Sequence, residues 1–260
     1  MTDHAPNRRA VLGGVATVAA LAGSRAQARS PLPIRNAVLV HGAWADGSCW
    51  GPVIGRLQAA GFNVTAVQNP LTSLADDVAA TRRALNLQDG PVVLVGHSWG
   101  GSVITEAGVN PKVAALVYIA ARAPDAGEDF NALAARYPTM PVRAGVLTTD
   151  GYSRLSQEAF LKHFAGDVPL PQAMILYAAQ QPIAETLFSG RATVAAWKSK
   201  PCSYAVSTRD ETTSPDLERF LAQRMQARTI ELPSSHLSMI SHPQAITDLI
   251  MSAARETRPG

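Results

Sequence analysis

The 260-residue sequence lacks the features of several specialised protein classes. Its two cysteines cannot form a disulfide framework. With 47% hydrophobic and 17% charged residues, it is not disordered, collagen-like or a coiled coil. It contains neither an internal repeat nor a low-complexity segment. A chain of this length can build one large core, so we start from a single domain.

Motifs for metals and phosphates are also missing. The sequence has no H-E-x-x-H, no paired Cys-x-x-Cys and no acidic calcium loop. After residue 28 it has no glycine pattern that would hold a phosphate group or a dinucleotide. We therefore expect a protein that uses no metal and no cofactor.

Residues 1–28 have the three-part layout of an export signal. Arg8 and Arg9 form a basic pair, residues 11–22 are apolar, and residues 26–28 offer a small-residue cleavage site. The apolar run is too short for a membrane span, which needs about 20 residues. The segment resembles a twin-arginine signal, although Ala10 and Val11 depart from that pattern and a general secretory signal stays open. We expect a bacterial protein that is periplasmic or extracellular and has no stable membrane anchor.

Removing this segment also changes the charge. It carries three arginines and one aspartate, so the formal charge falls from +3 to +1 without it. No cluster of Lys and Arg remains that could neutralise a line of phosphates. The sequence therefore argues against a nucleic-acid partner.

From residue 35 onward, short apolar runs alternate with segments of helical period, which is typical of βαβ units. This alternation predicts an α/β fold with a mostly parallel six-stranded sheet and helices on both faces, in a domain spanning 29–260. The predicted strands are 37–40, 62–67, 92–95, 114–119, 203–207 and 229–232. The predicted helices between them are 52–60, 74–87, 101–108, 216–224 and 243–256.

Two features of this layout carry further expectations. Residues 124–200 show helical pieces at 156–164, 172–180 and 184–188 but no convincing strand, so we expect a helical insertion that covers one edge of the sheet. Cys49 follows the first strand whereas Cys202 begins a late one. These places lie at opposite ends of a parallel sheet, so we expect the two cysteines to stay unpaired.

The sequence Gly96-His97-Ser98-Trp99-Gly100 follows a predicted strand and precedes a predicted helix. This G-x-S-x-G pattern is the nucleophile elbow, in which a sharp turn raises the serine hydroxyl above the sheet. Small residues are needed beside the serine because larger side chains would collide in so tight a turn. An ordinary glycine-rich turn is the alternative, and the strand–turn–helix order favours the nucleophile.

A serine hydroxyl needs a base, and the base needs an acid to orient it. His236 follows the last predicted strand, and Asp210 follows the strand before it, which gives the chain order Ser98, Asp210, His236. Glu211 and Asp125 are rival acids, for which a turn or solvated role is the simpler interpretation. We expect Ser98, Asp210 and His236 to form a catalytic triad.

The reaction also needs donors for a developing oxyanion, which main-chain N–H groups normally supply. The turn 41–44 follows the first strand and can present the N–H of Ala43 beside that of Trp99, the residue after the serine. Taken alone, residues 41–42 would be an ordinary strand-ending turn. The serine elbow makes an oxyanion hole of Ala43 and Trp99 the better interpretation.

These motifs together resemble the α/β-hydrolase superfamily over nearly the whole chain after residue 28. Within it, residues 40–44, 96–101, 209–210 and 234–236 resemble the compact group of plant methylesterases, hydroxynitrile lyases and bacterial esterases. The resemblance implies the triad and oxyanion donors named above and a cap at 124–200. The lyases carry a lysine after the catalytic histidine and a threonine in the His-Gly turn. Leu237 and Gly42 occupy those positions here, which points to ester hydrolysis.

We therefore expect a serine esterase that cleaves small, largely apolar esters through an acyl-enzyme intermediate. Trp44 beside the nucleophile turn, with Tyr177 and Trp197 in the cap, are the candidate pocket residues, although cap aromatics can equally fill the cap's own core. Two alternatives stay open. One is a cofactor-free haloperoxidase or perhydrolase, and the other is a non-catalytic small-ligand-binding protein on the same fold. The sequence does not indicate an oligomeric state.

Overall fold

The computed structural model describes residues 1–2 and 34–256. The predicted export signal lies almost entirely outside these residues, so export stays a prediction. Within the described part of the chain, no helix is both long and apolar enough to cross a membrane.

The centre of the molecule is a six-stranded parallel sheet with the strand order β2-β1-β3-β4-β8-β9. Val, Leu, Ile and Ala dominate the two central strands, and nearly all of their side chains are buried, as expected for strands covered on both faces. The six strands are β1 Asn36–Val40, β2 Asn63–Val67, β3 Val92–His97, β4 Val113–Ile119, β8 Cys202–Ser207 and β9 Arg228–Leu232.

Helices connect these strands and cover the sheet. The first and last long helices pack against each other, and the second packs against the third. The helices outside the cap are α1 Gly51–Ala59, α2 Leu74–Asn86, α3 Gly100–Ala107, α7 Pro215–Arg224, α8 Ser238–Ser241 and α9 Pro243–Glu256. All six predicted strands and all five predicted helices are confirmed to within two residues at each end, and α8 is an addition.

The segment between β4 and β8 differs from the sequence prediction, which gave it no strand. It contains a small antiparallel sheet in the order β5-β6-β7. Asp150 and Gly151 link β5 to β6, and both have positive φ, 53° and 78°, as a two-residue hairpin turn requires. The segment comprises α4 Phe130–Ala134, β5 Val146–Thr149, β6 Tyr152–Leu155, α5 Gln157–Ala159, α6 Leu170–Ala179 and β7 Ile183–Ala184.

Other parts of this segment are helical, as predicted, in a less regular way. A single π-helical turn at Phe160–Phe164 extends α5. The helix predicted at 184–188 is wrong, because Ala184 ends β7 and only a 3₁₀ turn, Leu187–Ser189, follows. The Gln180 side chain bonds both main-chain groups of Leu155 and so ties the end of α6 to β6.

Because all six strands of the main sheet are parallel, their carboxyl-terminal ends lie along one edge, where α/β proteins place their sites. The loops after β3 and β4 are joined by bonds from Ser98 N–H to the Ile119 carbonyl (3.1 Å) and from Arg122 N–H to the Ser98 carbonyl (3.0 Å). Arg209 N–H donates to the Ser234 carbonyl (3.0 Å) and joins the loops after β8 and β9. This edge therefore gathers the motifs that the sequence separates.

Glycines let the turn after β3 pack tightly against the main chain of its neighbours. A Cβ at Gly96 would lie 2.7 Å from the Gly100 carbonyl oxygen, and one at Gly101 would overlap the Arg122 carbonyl. No flexible side chain could move to relieve these contacts, because the atoms that would clash are main-chain atoms and the Cβ of Ala121. The path of this turn is therefore fixed by packing.

We expect Gly101→Ala to lower the free energy of unfolding by about 1–3 kcal/mol or more, because the added methyl group displaces main-chain atoms. Gly55→Ala is the matched control. Gly55 is exposed within α1 and its new Cβ would touch nothing within 4 Å, so this variant should gain about 0.5–1 kcal/mol. Urea denaturation of both variants checks the prediction, and equal midpoints would contradict it.

Candidate active site

Ser98 lies at the turn between β3 and α3 with φ of 51°, in the left-handed region that non-glycine residues rarely occupy. Strain of this kind collects at functional sites because the surrounding structure must hold it. The side chain is half-buried and lines a cavity of about 360 Å³. The hydroxyl therefore faces a space that can hold a small molecule.

His236 and Asp210 form a buried pair in the loops after β9 and β8. The imidazole Nδ1–H donates to Asp210 Oδ2 at 2.5 Å, and both side chains are fully buried. Asp210 Oδ1 accepts from the main-chain N–H groups of Thr212 (2.6 Å) and Thr213 (2.9 Å), which fix the carboxylate. The other ring nitrogen, His236 Nε2, is buried and has no hydrogen-bond partner among the described residues. It is therefore available as a proton acceptor.

The two rival acids are engaged elsewhere. Glu211 bonds the ring of His163 at 2.5 Å, and Asp125 pairs with Lys198 at 2.6 Å. Of the three candidate carboxylates, Asp210 is the one that bonds His236. Among the described residues, neither rival bonds the His236 ring.

His97, the residue before Ser98, connects the nucleophile turn to the loop of His236. Its Nε2–H donates to the His236 carbonyl at 3.0 Å, and the two rings lie 4.7 Å apart. Burial, and after it the neighbouring His236 ring, lowers the pKa of His97 well below its usual value. His97 is therefore a neutral donor that holds the two loops together, a role that sequence reasoning did not assign.

The turn after β1 lies directly against the nucleophile. A Cβ at Gly42 would lie 2.7 Å from the Ser98 Cβ, so only glycine fits there. His41 fixes the turn, since its Nδ1–H donates to the Gly42 carbonyl at 2.8 Å and its Nε2 accepts from the Asn69 N–H at 3.0 Å. Ala43 follows at once and lines the same cavity as Ser98.

Trp99 is anchored by a residue that the sequence did not single out. Its indole N–H donates to Asp77 Oδ2 at 2.7 Å, and the Leu71 N–H donates to the other carboxylate oxygen at 2.8 Å. Burial raises the pKa of Asp77 to about 6, against the effect of these hydrogen bonds. The anchored indole holds the main chain of Trp99 in place beside Ser98.

The cavity walls come from the loops around Ser98 and from the cap. Trp44 lines it, as the sequence predicted, and packs edge-on against Phe164 and Phe188 of the cap. Sequence reasoning missed most of the wall. The missed residues with the largest side chains are Arg122, Phe130, Tyr137, Met140 and Arg143.

Two of the predicted pocket residues do not line this cavity. The Trp197 indole N–H donates to the Pro124 carbonyl at 2.8 Å, so its buried ring joins the two ends of the cap segment. Tyr177 packs edge-on against Phe160, and its hydroxyl accepts from Arg154 at 2.8 Å. Both aromatics serve the cap itself, the alternative that the sequence left open.

In the part of the chain that the structure describes, the remaining polar groups form neither a metal site nor a disulfide. No group of three or more His, Cys, Asp or Glu within the described residues could hold a metal ion. Cys49 and Cys202 are both free. Burial raises the pKa of Cys202 to about 12, so its thiol stays protonated at neutral pH.

A sequence model of the alpha/beta hydrolase family matches residues 37–249. The chain is also similar to two curated proteins over shorter stretches. It is 36% identical over 114 residues to a carbendazim hydrolyzing esterase of Nocardioides sp. (strain SG-4G), covering 38% of this chain and 46% of that protein. It is 39% identical over 105 residues to methylesterase 7 of Arabidopsis thaliana, covering 34% of this chain and 40% of that protein. The chain thus matches less than half the length of either relative.

Solved structures extend the comparison to the whole fold. Polyneuridine aldehyde esterase superposes with a TM-score of 0.73 over 84% of this chain and 98% of its own. The sequence identity is 17%, so this likeness concerns the fold.

We expect Asp210→Asn to lower kcat by about 10⁴-fold, the loss seen when the corresponding carboxylate of a serine protease is neutralised. The amide would favour the wrong tautomer of His236. Glu211→Gln is the matched control and should stay near wild-type activity. Hydrolysis of a p-nitrophenyl ester measures both, and comparable losses in the two variants would contradict the assignment of Asp210.

The two buried histidines contribute stability that is lost in acid. Burial lowers the pKa of both His41 and His97, so the folded state keeps them neutral while the unfolded chain takes up protons below about pH 6.5. Each histidine should lower stability by up to about 1.4 kcal/mol per pH unit below that value. The raised pKa values of the buried acids Asp77 and Glu218 act in the opposite direction, so the histidine contribution is measured against a variant that cannot titrate.

Urea denaturation of the wild type and of His97→Gln at pH 7.5 and pH 5.5 measures this contribution. His97→Gln keeps a donor for the His236 carbonyl but cannot titrate. We expect acidification to be less favourable to the wild type than to this variant, by up to about 1.4 kcal/mol in unfolding free energy. Equal changes in the two proteins would refute the prediction.

Proposed function

The chain belongs to the alpha/beta hydrolase family, and we propose that it hydrolyses carboxylic esters with Ser98 as the nucleophile. The observation that carries this proposal is the buried Asp210–His236 pair, whose free Nε2 lies in the loop that His97 ties to the nucleophile turn. The named relatives, an esterase and a methylesterase, support the same reaction class.

In the proposed first step, His236 Nε2 accepts the Ser98 proton while Ser98 Oγ attacks the ester carbonyl. Asp210 keeps the imidazole oriented and stabilises its positive charge. The main-chain N–H groups of Ala43 and Trp99 donate to the developing oxyanion. The rigid turns around Gly42 and Gly101 hold these donors before substrate arrives.

Collapse of the tetrahedral intermediate then expels the alcohol, which takes the proton from His236. Ser98 is left as an acyl ester. Water attacks this ester with His236 again as the base, and the acid leaves. The mostly apolar wall around Ser98 suits the apolar part of the small esters expected from the sequence.

Ser98→Ala tests the proposal. We expect hydrolysis of short p-nitrophenyl esters to fall by at least about 10³-fold, because the nucleophile is lost. A fluorophosphonate should label the wild type at one serine and fail to label the variant. Ser252→Ala, which changes an exposed hydroxyl in α9, is the control and should keep full activity.

Two results would contradict the proposal. Turnover that survives Ser98→Ala would show that Ser98 is not the nucleophile. A wild type that binds esters without hydrolysing them would favour the ligand-binding alternative. Adding hydrogen peroxide to the same assay compares peracid formation with hydrolysis, and faster perhydrolysis would favour the perhydrolase alternative.

A further inference from the structure

Arg122 is a buried cation in the wall of the Ser98 cavity. It follows β4 in the loop that packs on the nucleophile turn, and only 9% of the residue is exposed. Burying a charged group is costly unless a partner compensates for its lost water. The contacts of this guanidinium therefore indicate what the cavity is built to hold.

The protein supplies Arg122 with little compensation. The one hydrogen bond of its guanidinium within the described residues runs from Nη2 to Asn131 Oδ1 and is long, 3.4 Å, and Nε has no partner there. Asp129, the acid that acts on it electrostatically, is itself bonded to Arg191 at 2.9 Å and to the Ala132 N–H at 3.0 Å. None of the residues that line the cavity is Asp or Glu.

Aromatic rings surround the guanidinium without satisfying its N–H groups. Its central carbon lies 4.3 Å from the Phe130 ring centroid, 5.2 Å from Trp99 and 5.3 Å from Phe188. Rings attract a cation through their faces. A guanidinium has five N–H donors in one plane, a fork that matches a carboxylate. The rings therefore hold the guanidinium in place but leave most of its N–H donors without an acceptor among the described residues.

The position of this group relative to the nucleophile is fixed by the main chain. Arg122 N–H donates to the Ser98 carbonyl at 3.0 Å. The preceding Ala121 is clamped by the Tyr204 hydroxyl, which accepts from its N–H at 2.9 Å and donates to its carbonyl at 2.6 Å. A binding group that must hold substrate at a fixed position requires such a rigid main chain.

A second cation lies farther out. Arg143 also lines the cavity, is exposed, and forms no ion pair within the described residues. Burial, and after it the charge on Arg143, lowers the pKa of Arg122 to about 9, so the guanidinium is still charged at neutral pH. The cavity thus presents two positive charges and no negative one.

We propose that Arg122 binds a carboxylate of the substrate, so that the preferred esters carry a second, free carboxylate besides the bond that is cleaved. This inference rests on the proposed ester hydrolysis and names its substrate class. Arg143 attracts the same anion at the cavity mouth.

The test compares esters that differ only in this charge. One series is the monomethyl esters of dicarboxylic acids from succinate to suberate, each against its neutral half-amide methyl ester. A second series, acetyl esters of hydroxy acids against their amides, puts the carboxylate on the alcohol side. We expect kcat/KM of the wild type to favour the charged ester in one series by about 10- to 100-fold, because charge-assisted hydrogen bonds are lost with the amide.

Variants assign the preference to Arg122. Arg122→Gln should bring the charged-to-neutral ratio close to one, and Arg122→Lys should keep part of it because it keeps charge without the fork. Arg136→Gln removes the same charge from an exposed cap residue outside the cavity wall and should leave the ratio unchanged. If Arg122→Gln does not fold, the wild-type ratio and the lysine variant carry the test.

The outcomes separate this inference from the proposed function. A wild-type ratio near one in both series, with neutral esters still hydrolysed, would overturn the carboxylate site and leave the esterase intact. A ratio that survives Arg122→Gln would overturn the role of Arg122. If no ester is hydrolysed, the proposed function fails. Calorimetric titration of adipate into the wild type and into Arg122→Lys then still measures the anion site. Equal affinity in the two proteins, or no binding to the wild type, would overturn the carboxylate site.

Discussion

The turn that carries Ser98 is packed tightly between the loop after β1 and the loop after β4, and this packing constrains the whole site. Glycine at 42, 96 and 101 lets main-chain atoms approach to distances that any side chain would block. The left-handed backbone of Ser98 persists because its neighbours leave it no other path. The positions of the hydroxyl, of the Ala43 main chain and of the Arg122 side chain are therefore coupled.

The buried charged groups on the two sides of Ser98 are compensated to different degrees. On one side the charge of Asp210 is compensated, since its carboxylate accepts three N–H groups, and the buried His97 stays neutral. On the other side the Arg122 guanidinium is enclosed by rings and has one long hydrogen bond. The Asp210 carboxylate therefore needs no further partner, whereas the Arg122 guanidinium is complementary to an anion from outside the chain.

The sheet and the order Ser98, Asp210, His236 could be predicted from the sequence because strand periodicity and turn motifs are local signals. The cap could be predicted only in part. Its hairpin had a readable signal in Asp150-Gly151, flanked by strand-like runs, but the irregular helices around it obscured that pattern. Whether an aromatic such as Trp197 lines a cavity or fills a core depends on long-range packing, and so does the burial of Arg122, which no local pattern reveals.

The cap is inserted between β4 and β8, which are hydrogen-bonded neighbours in the sheet. Its two ends therefore meet, and the Trp197 indole bonded to the Pro124 carbonyl closes the gap between them. An insertion anchored in this way is a self-contained module. Recombining it with the cap of a related chain would exchange most of the cavity wall and leave Ser98, Asp210, His236 and Arg122 on the unaltered scaffold, so evolution could diversify acyl selectivity without rebuilding the chemistry.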